Sequence, residues 1–247
     1  MQVKDVEKVE KEKGIASTLK ASDFYPEYPG RVARFLRDNQ SEMGDEWVKD
    51  TARKLYKFTK DEEDNLLGSS TYMGVAIATL LPQIPLITGQ QLLKLYEQNG
   101  NKNPFGDVYI NFGVNITGQP NVNKLQAETL LKDLSARGIS TGEGRVINFS
   151  QLFLQPHKDA GLVYRLAEDV QNGDISHTSE YPFTYKGENG LFRAYLNWYG
   201  NWYADGDGLG VSDDDGRGVR YDAEGAVLRK PGKNLVSELA NDFRKRF

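Results

Sequence analysis

Cysteine is missing from all 247 residues. Its absence excludes disulfides, a thiolate nucleophile and iron–sulfur ligation. Histidine is nearly missing too. His157 and His177 are the only two, too few to fill the Cys/His set of a structural zinc site. The sequence also lacks a G-x-S-x-G nucleophile elbow. RGISTGEGR (Arg137 to Arg145) has the glycines of a phosphate loop without its Lys-Ser/Thr, and it comes after a helical pattern instead of a strand. Positive charge is not in excess: the net charge is −4, so no nucleic-acid partner is expected.

Long apolar runs are absent as well. The longest, YMGVAIATLLPQIPLI (Tyr72 to Ile87), is shorter than the roughly 20 residues of a membrane helix. Pro82, Gln83 and Pro85 interrupt it. It reads as a buried helix over Met73–Leu81, ended where Pro82 removes an N–H donor. The first residues, MQVKDVEKVEKEKG, are charged throughout, with no apolar core of a signal peptide. No membrane partner is expected, and the cytoplasm is the default compartment.

The remaining pattern divides near NGNKNPFGD (Asn99 to Asp107), a cluster of chain breakers. Residues 1–99 read as mostly helical. Val3, Val6 and Val9 recur at helical spacing. Val32, Phe35 and Leu36 share one face, Trp47 to Phe58 continue the pattern, and Gln90–Gln98 forms a further helix. Residues 100–247 read as mixed. Val108, Ile110, Phe112 and Val114 alternate as a strand, Asn121–Arg137 is a helix closed by Gly138, and Arg145–Leu154 is a strand. Ala160–Val170 reads as a short helix. Phe183–Lys186 and Leu191–Trp198 flank an Asn-Gly and read as a hairpin. Short strands are expected near Val219–Tyr221 and Ala226–Leu228, and a basic-ended helix over Asn234–Phe247. The fold class is therefore α+β: a helical N-terminal part, then a mixed part with an antiparallel sheet and a C-terminal helix.

Two features carry chemistry. The first is DGDGLGVSDDDGRG (Asp205 to Gly218), the centre of a stretch, 201–224, with net charge −5. Residues 229–247 carry +4, so mutual neutralisation is one reading. Close carboxylates also invite a divalent cation. Asp205, Asp207, Asp213, Asp215 and Glu224 are the candidate calcium ligands. A calcium-loop frame from Asp213 places Gly218 at its turn and Glu224 at its end, but Arg217 stands where an oxygen is needed, so this is not an EF-hand. The third reading is a solvated glycine-rich turn.

The second feature is aromatic: nine of 27 aromatic residues fall within 181–203. Alternation over Leu191–Tyr199 sorts Phe192, Ala194, Leu196 and Trp198 to a core face, and Arg193, Tyr195, Asn197 and Tyr199 to a polar-aromatic face. Tyr195, Tyr199 and Trp202 are the candidate ligand-stacking residues. A helix-covered sheet would give the same pattern. His157 and His177 are minor candidates for a general base, and Asn115 and Asn148 begin Asn-x-Ser/Thr triplets.

The functional expectation is a non-enzymatic structural or binding protein, with an acidic loop beside an aromatic surface that meets a protein or carbohydrate. The helical part would serve packing or self-association. The alternatives are a carboxylate-based, glycosidase-like hydrolase using Asp205, Asp207, Asp213 or Glu188 beside Trp198 and Trp202, and a component of a virion or other large assembly.

Overall fold

The computed structural model describes residues 15–205, 208–211 and 214–222. The helix expected over residues 3–13, the strand at Ala226–Leu228 and the helix at Asn234–Phe247 lie outside the described residues.

The described residues open with strand β1 (Ile15–Thr18) and helices α1 (Ala21–Phe24), α2 (Tyr28–Asp38), α3 (Gln40–Met43) and α4 (Asp45–Leu55). Two-residue strands β2 (Thr59–Lys60) and β3 (Leu66–Leu67) precede helices α5 (Thr71–Leu80) and α6 (Gly89–Gln98). Strand β4 (Tyr109–Thr117) leads to helix α7 (Lys124–Ala136) and strands β5 (Arg145–Asn148), β6 (Leu152–His157), β7 (Gly161–Leu166) and β8 (Ser176–His177). Strands β9 (Phe183–Lys186), β10 (Gly190–Leu196), β11 (Trp202–Asp205), β12 (Gly216–Arg217) and β13 (Val219–Asp222) come last.

Local signals account for several helix ends. The Ser70 hydroxyl accepts from the Met73 N–H and starts α5, and the last bond runs from Leu81 N–H to the Ile77 carbonyl, just before Pro82. Thr88 and Gln91 form a capping box on α6. α7 ends in a Schellman motif. Gly138 adopts φ 67°, its N–H bonds the Ser135 carbonyl, and the Ile139 N–H bonds the Leu134 carbonyl. α5 is apolar all round and packs between α2, α4, β4 and β6, so it forms the centre of the larger core.

The main sheet has seven strands in the order β8-β5-β4-β10-β11-β9, with β12 also on β4. It is mixed, which corrects the antiparallel expectation: β9 lies parallel to β11, and β12 parallel to β4. The expected Asn-Gly hairpin is not formed. β10 sits between β4 and β11 instead. The Asn189–Gly190 pair makes a different contact. Gly190 adopts φ 129° with its Cα against the Val122 backbone, and the Leu191 N–H donates to the Val122 carbonyl. Asn189 Oδ1 accepts from the Gln119 N–H.

The helix expected over Ala160–Val170 is also corrected. It is strand β7, paired with β6 from Leu152–Leu166 to His157–Gly161. Leu162, Val163 and Tyr164 are all buried, so both faces of β7 are covered and the alternation that marks a strand is lost. The N-terminal region is not purely helical either: β1 pairs with β13 near the far end of the described chain. One buried cluster takes side chains from Leu19 to Ile84 and from Val114 to Leu209, so it draws on both sides of residue 100. A second, smaller cluster joins Ile87 and Leu92 to Phe112, Tyr181 and Trp202 on the other side of the sheet.

Candidate functional site

The register of β10 against β4 shifts by one between Ala194 and Tyr195. Ala194 opposes Gly113 and Tyr195 opposes Asn111, leaving Phe112 as the extra residue of a bulge. Phe112 turns to the core beside Trp202, ring centroids 5.5 Å apart. Tyr109 comes beside Tyr195 on the other side, at 6.0 Å. Tyr195 in turn pairs with Tyr203 and stacks on it at 5.5 Å with the planes 16° apart. Tyr203 is paired with Tyr185 of β9. The outcome is a row of three tyrosines in ring contact across β4, β10 and β11, with Tyr185 of β9 next in backbone register. Tyr109 is buried, Tyr195 and Tyr203 are half-buried, and Tyr185 is 58% exposed.

Polar groups lock the inner half of this row. The Arg193 guanidinium lies 5.0 Å from the Tyr195 ring centre and 5.9 Å from that of Tyr109, a cation–π arrangement with both. Its Nη1 reaches the Val211 carbonyl at 3.4 Å, and its Nε is buried with no hydrogen-bond partner among the described residues. The Tyr195 hydroxyl donates to Asp205 Oδ1 at 2.9 Å. Burial, and then the bond to and the charge of Asp205, raise the Tyr195 pKa far above the usual phenol value. Tyr195 therefore stays a neutral donor, unsuited to act as base or nucleophile.

The acidic loop is tied to the same face. Leu209 is buried in the larger core, and its carbonyl accepts from the Thr71 N–H. The Asp215 carbonyl accepts from the Tyr109 N–H at 3.1 Å, and the Gly216 carbonyl from the Gly68 N–H. The described parts of the segment are thus tied to the start of α5, to Gly68 and to the first residue of β4.

Of the five expected calcium ligands, Asp207, Asp213 and Glu224 lie outside the described residues. Asp205 is half-buried and bonded to Tyr195, and Asp215 is exposed. Among the described residues no group of three or more His, Asp or Glu gathers as a metal site. In the frame from Asp213, the Val219 carbonyl accepts from the Ile87 N–H as part of the fold. Arg220 is buried there, paired with Asp222 at 2.8 Å and Asp23 at 3.6 Å.

The three expected stacking residues separate. Tyr195 belongs to the row. Trp202 is a correction: it is 1% exposed in the second core cluster, edge-on to Tyr96 at 5.6 Å, and cannot meet a ligand. Tyr199 is 78% exposed but sits with Trp198, itself 43% exposed, on the turn between β10 and β11. The strand ends at Leu196, so the alternation that assigned Trp198 to the core stops before it. Two bonds tie the turn down: the Asn201 N–H donates to Asn197 Oδ1 at 2.8 Å, and Asn103 Nδ2 donates to the Asn197 carbonyl at 3.1 Å. Sequence reasoning missed Tyr203, Tyr185 and Tyr109. Tyr203 was legible from its spacing to Asp205 on one strand face; the other two depend on which strands pair.

The minor candidates are structural. His177 Nε2 lies 2.9 Å from Arg145 Nη1. Because arginine only donates, Nε2 is the acceptor in this contact. His157 Nδ1 accepts from the Asp159 N–H in a turn. Arg137 donates to three main-chain carbonyls, of Leu166, Ala167 and Val170, so it is not free to bind phosphate. Asn115 and Asn148 are buried, out of reach of glycosylation in the folded chain. No helix among the described residues is long and apolar enough to cross a membrane. No protein-family model, curated protein or solved structure matches the chain.

Proposed function

We propose that this is a non-enzymatic binding protein whose contact surface is formed by Tyr185, Tyr203 and the half-buried Tyr195, backed by the buried Tyr109, beside the acidic loop. The observation that carries the reading is preorganisation. Tyr195 and Tyr203 are held parallel, Asp205 and Arg193 fix the inner rings, and Tyr185 continues the row into solvent. Rigid aromatic faces offer large contact area at small entropic cost, which suits recognition. The same bonds speak against a carboxylate-pair hydrolase centred on Asp205. That carboxylate already accepts from the Tyr195 phenol, which engages one of its two oxygens in the fold.

The test is a titration panel with the purified full chain: an uncharged glucan oligosaccharide, an Arg/Gly peptide and a Glu/Gly peptide, each against wild type and Tyr185→Ala/Tyr203→Ala. Binding of one class, weakened at least about tenfold in the double variant with the melting temperature preserved, is the expected result. A panel in which nothing binds, or in which the double variant binds as well as wild type, would sink the reading.

A further inference from the structure

On the reading of the row as a binding surface, on which this step rests, the partner can be named by its chemistry. We infer that the outer half of the row, Tyr203 and Tyr185, receives a Lys- or Arg-bearing segment of a partner protein, with the acidic loop as its counter-charge. The protein itself supplies the precedent. Its inner half already seats a guanidinium, that of Arg193, on Tyr195 and Tyr109 at 5.0 and 5.9 Å. Tyr203 continues the same stacked face and Tyr185 stands next to it, more than half exposed. Among the described residues no cation lies over either ring.

Charge complementarity selects the occupant. Residues 205–215 carry five aspartates and no Lys or Arg. The loop is fastened to the row at several points: Asp205 through the Tyr195 hydroxyl, Val211 through Arg193, and the Asp215 carbonyl through the Tyr109 N–H. The negative charge of Asp205 is therefore held beside the aromatic faces, where an approaching cation gains from both the field and the ring quadrupoles. An anionic ligand would meet the aspartates as like charge. A neutral sugar would gain stacking and draw nothing from the loop. A basic segment uses both features, and an extended one can place successive side chains on neighbouring rings.

The experiment measures binding of a short synthetic peptide alternating Arg and Gly by isothermal titration, with the Glu/Gly peptide and the glucan as comparators. Wild type is expected to bind the Arg peptide in preference to both, more weakly as salt rises. Tyr185→Ala/Tyr203→Ala is expected to lose at least about tenfold in affinity, and Tyr185→Phe/Tyr203→Phe, which keeps the rings, to retain most of it. Asp205→Asn, which preserves an acceptor for Tyr195, combined with Asp215→Asn, should flatten the salt dependence. Equal affinity in the Ala and wild-type proteins would reduce the effect to unspecific charge attraction and overturn the inference. Preference for the glucan, lost in the Ala variant, would overturn it while leaving the binding surface standing. No binding by any probe would remove both. A circular dichroism melt of each variant separates lost binding from lost folding.

Discussion

Replacing Trp202 by alanine tests the division between core and surface most directly. Trp202 is 1% exposed and packs against Tyr96, Phe112, Tyr181 and Phe183, with ring centroids 5.5 to 6.4 Å away. A buried aromatic of this kind removes ~200 Å² from water, which at ~25 cal/mol/Å² amounts to about 5 kcal/mol. Residual burial in a compact unfolded chain lowers that figure to ~3–4 kcal/mol. Truncations of buried aromatics cost ~3–5 kcal/mol, in agreement. At ~2–4 °C per kcal/mol for a chain of this size, Trp202→Ala should lower the melting temperature by ~6–16 °C. Trp198→Ala, on the exposed turn, should stay within ~0.5 kcal/mol of wild type. Trp202→Phe should cost less than the alanine variant, because it keeps a ring and removes an indole N–H that is buried with no partner among the described residues. Differential scanning calorimetry on the three variants gives the order. A melting temperature for Trp202→Ala within a degree or so of that for Trp198→Ala would refute the packing argument.

Three further outcomes are expected. Burial alone would raise the Asp133 carboxyl, but bonds from Arg165 and the Leu166 N–H, with the charges of Arg165 and Arg137, outweigh it and hold the pKa below the usual carboxylate value. Its folded pKa is thus below its unfolded one, so the stability it contributes is present above about pH 4 and is lost as pH falls through the folded value; urea midpoints against pH should show a shallower acid limb in Asp133→Asn. Gly113→Ala places a Cβ against the Ile147 carbonyl and the Asn148 Cα, both main chain, and should cost ~2 kcal/mol or more of overpacking, read as a lower urea midpoint with an unchanged slope. Gly138→Ala meets no neighbouring atom but must hold φ 67°, so its cost should be only ~1 kcal/mol in the same assay.

Local signals in the sequence located much of the secondary structure. Pro82 and Gly138 act within one turn of the helices they end, and the alternation from Val108 to Val114 marks β4. The signals failed where distant packing decides. β7 looks helical because α4 and α7 pack against it beside its partner strand β6, leaving no polar face to give a period of two. Asn189-Gly190 satisfies the chemistry of a tight hairpin, yet Gly190 bridges to Val122, which is distant in sequence. Parallel pairing of β9 with β11 depends on a partner across the Gly187–Asn201 excursion and leaves no local mark. Trp198 leaves its expected core place because the strand stops at Leu196, and Trp202 joins the core because β11 pairs it with Leu196.

The bulge at Phe112 is the step that turns these strands into a site. With unbroken pairing beyond Ala194–Gly113, Tyr195 would oppose Phe112 and Leu196 would oppose Asn111, and Tyr109 would then fall on the core side of β10, away from Tyr195. One extra residue returns Asn111 to the position opposite Tyr195, brings Tyr109 beneath Arg193, and lets Phe112 join Trp202 in the core. A register change of one residue reverses the face of every side chain beyond it. The alternating sequence of β4 is the same with or without the bulge, so neither strand read alone reveals the row. Only their pairing does, and the Arg193 guanidinium seated between two rings is its direct consequence.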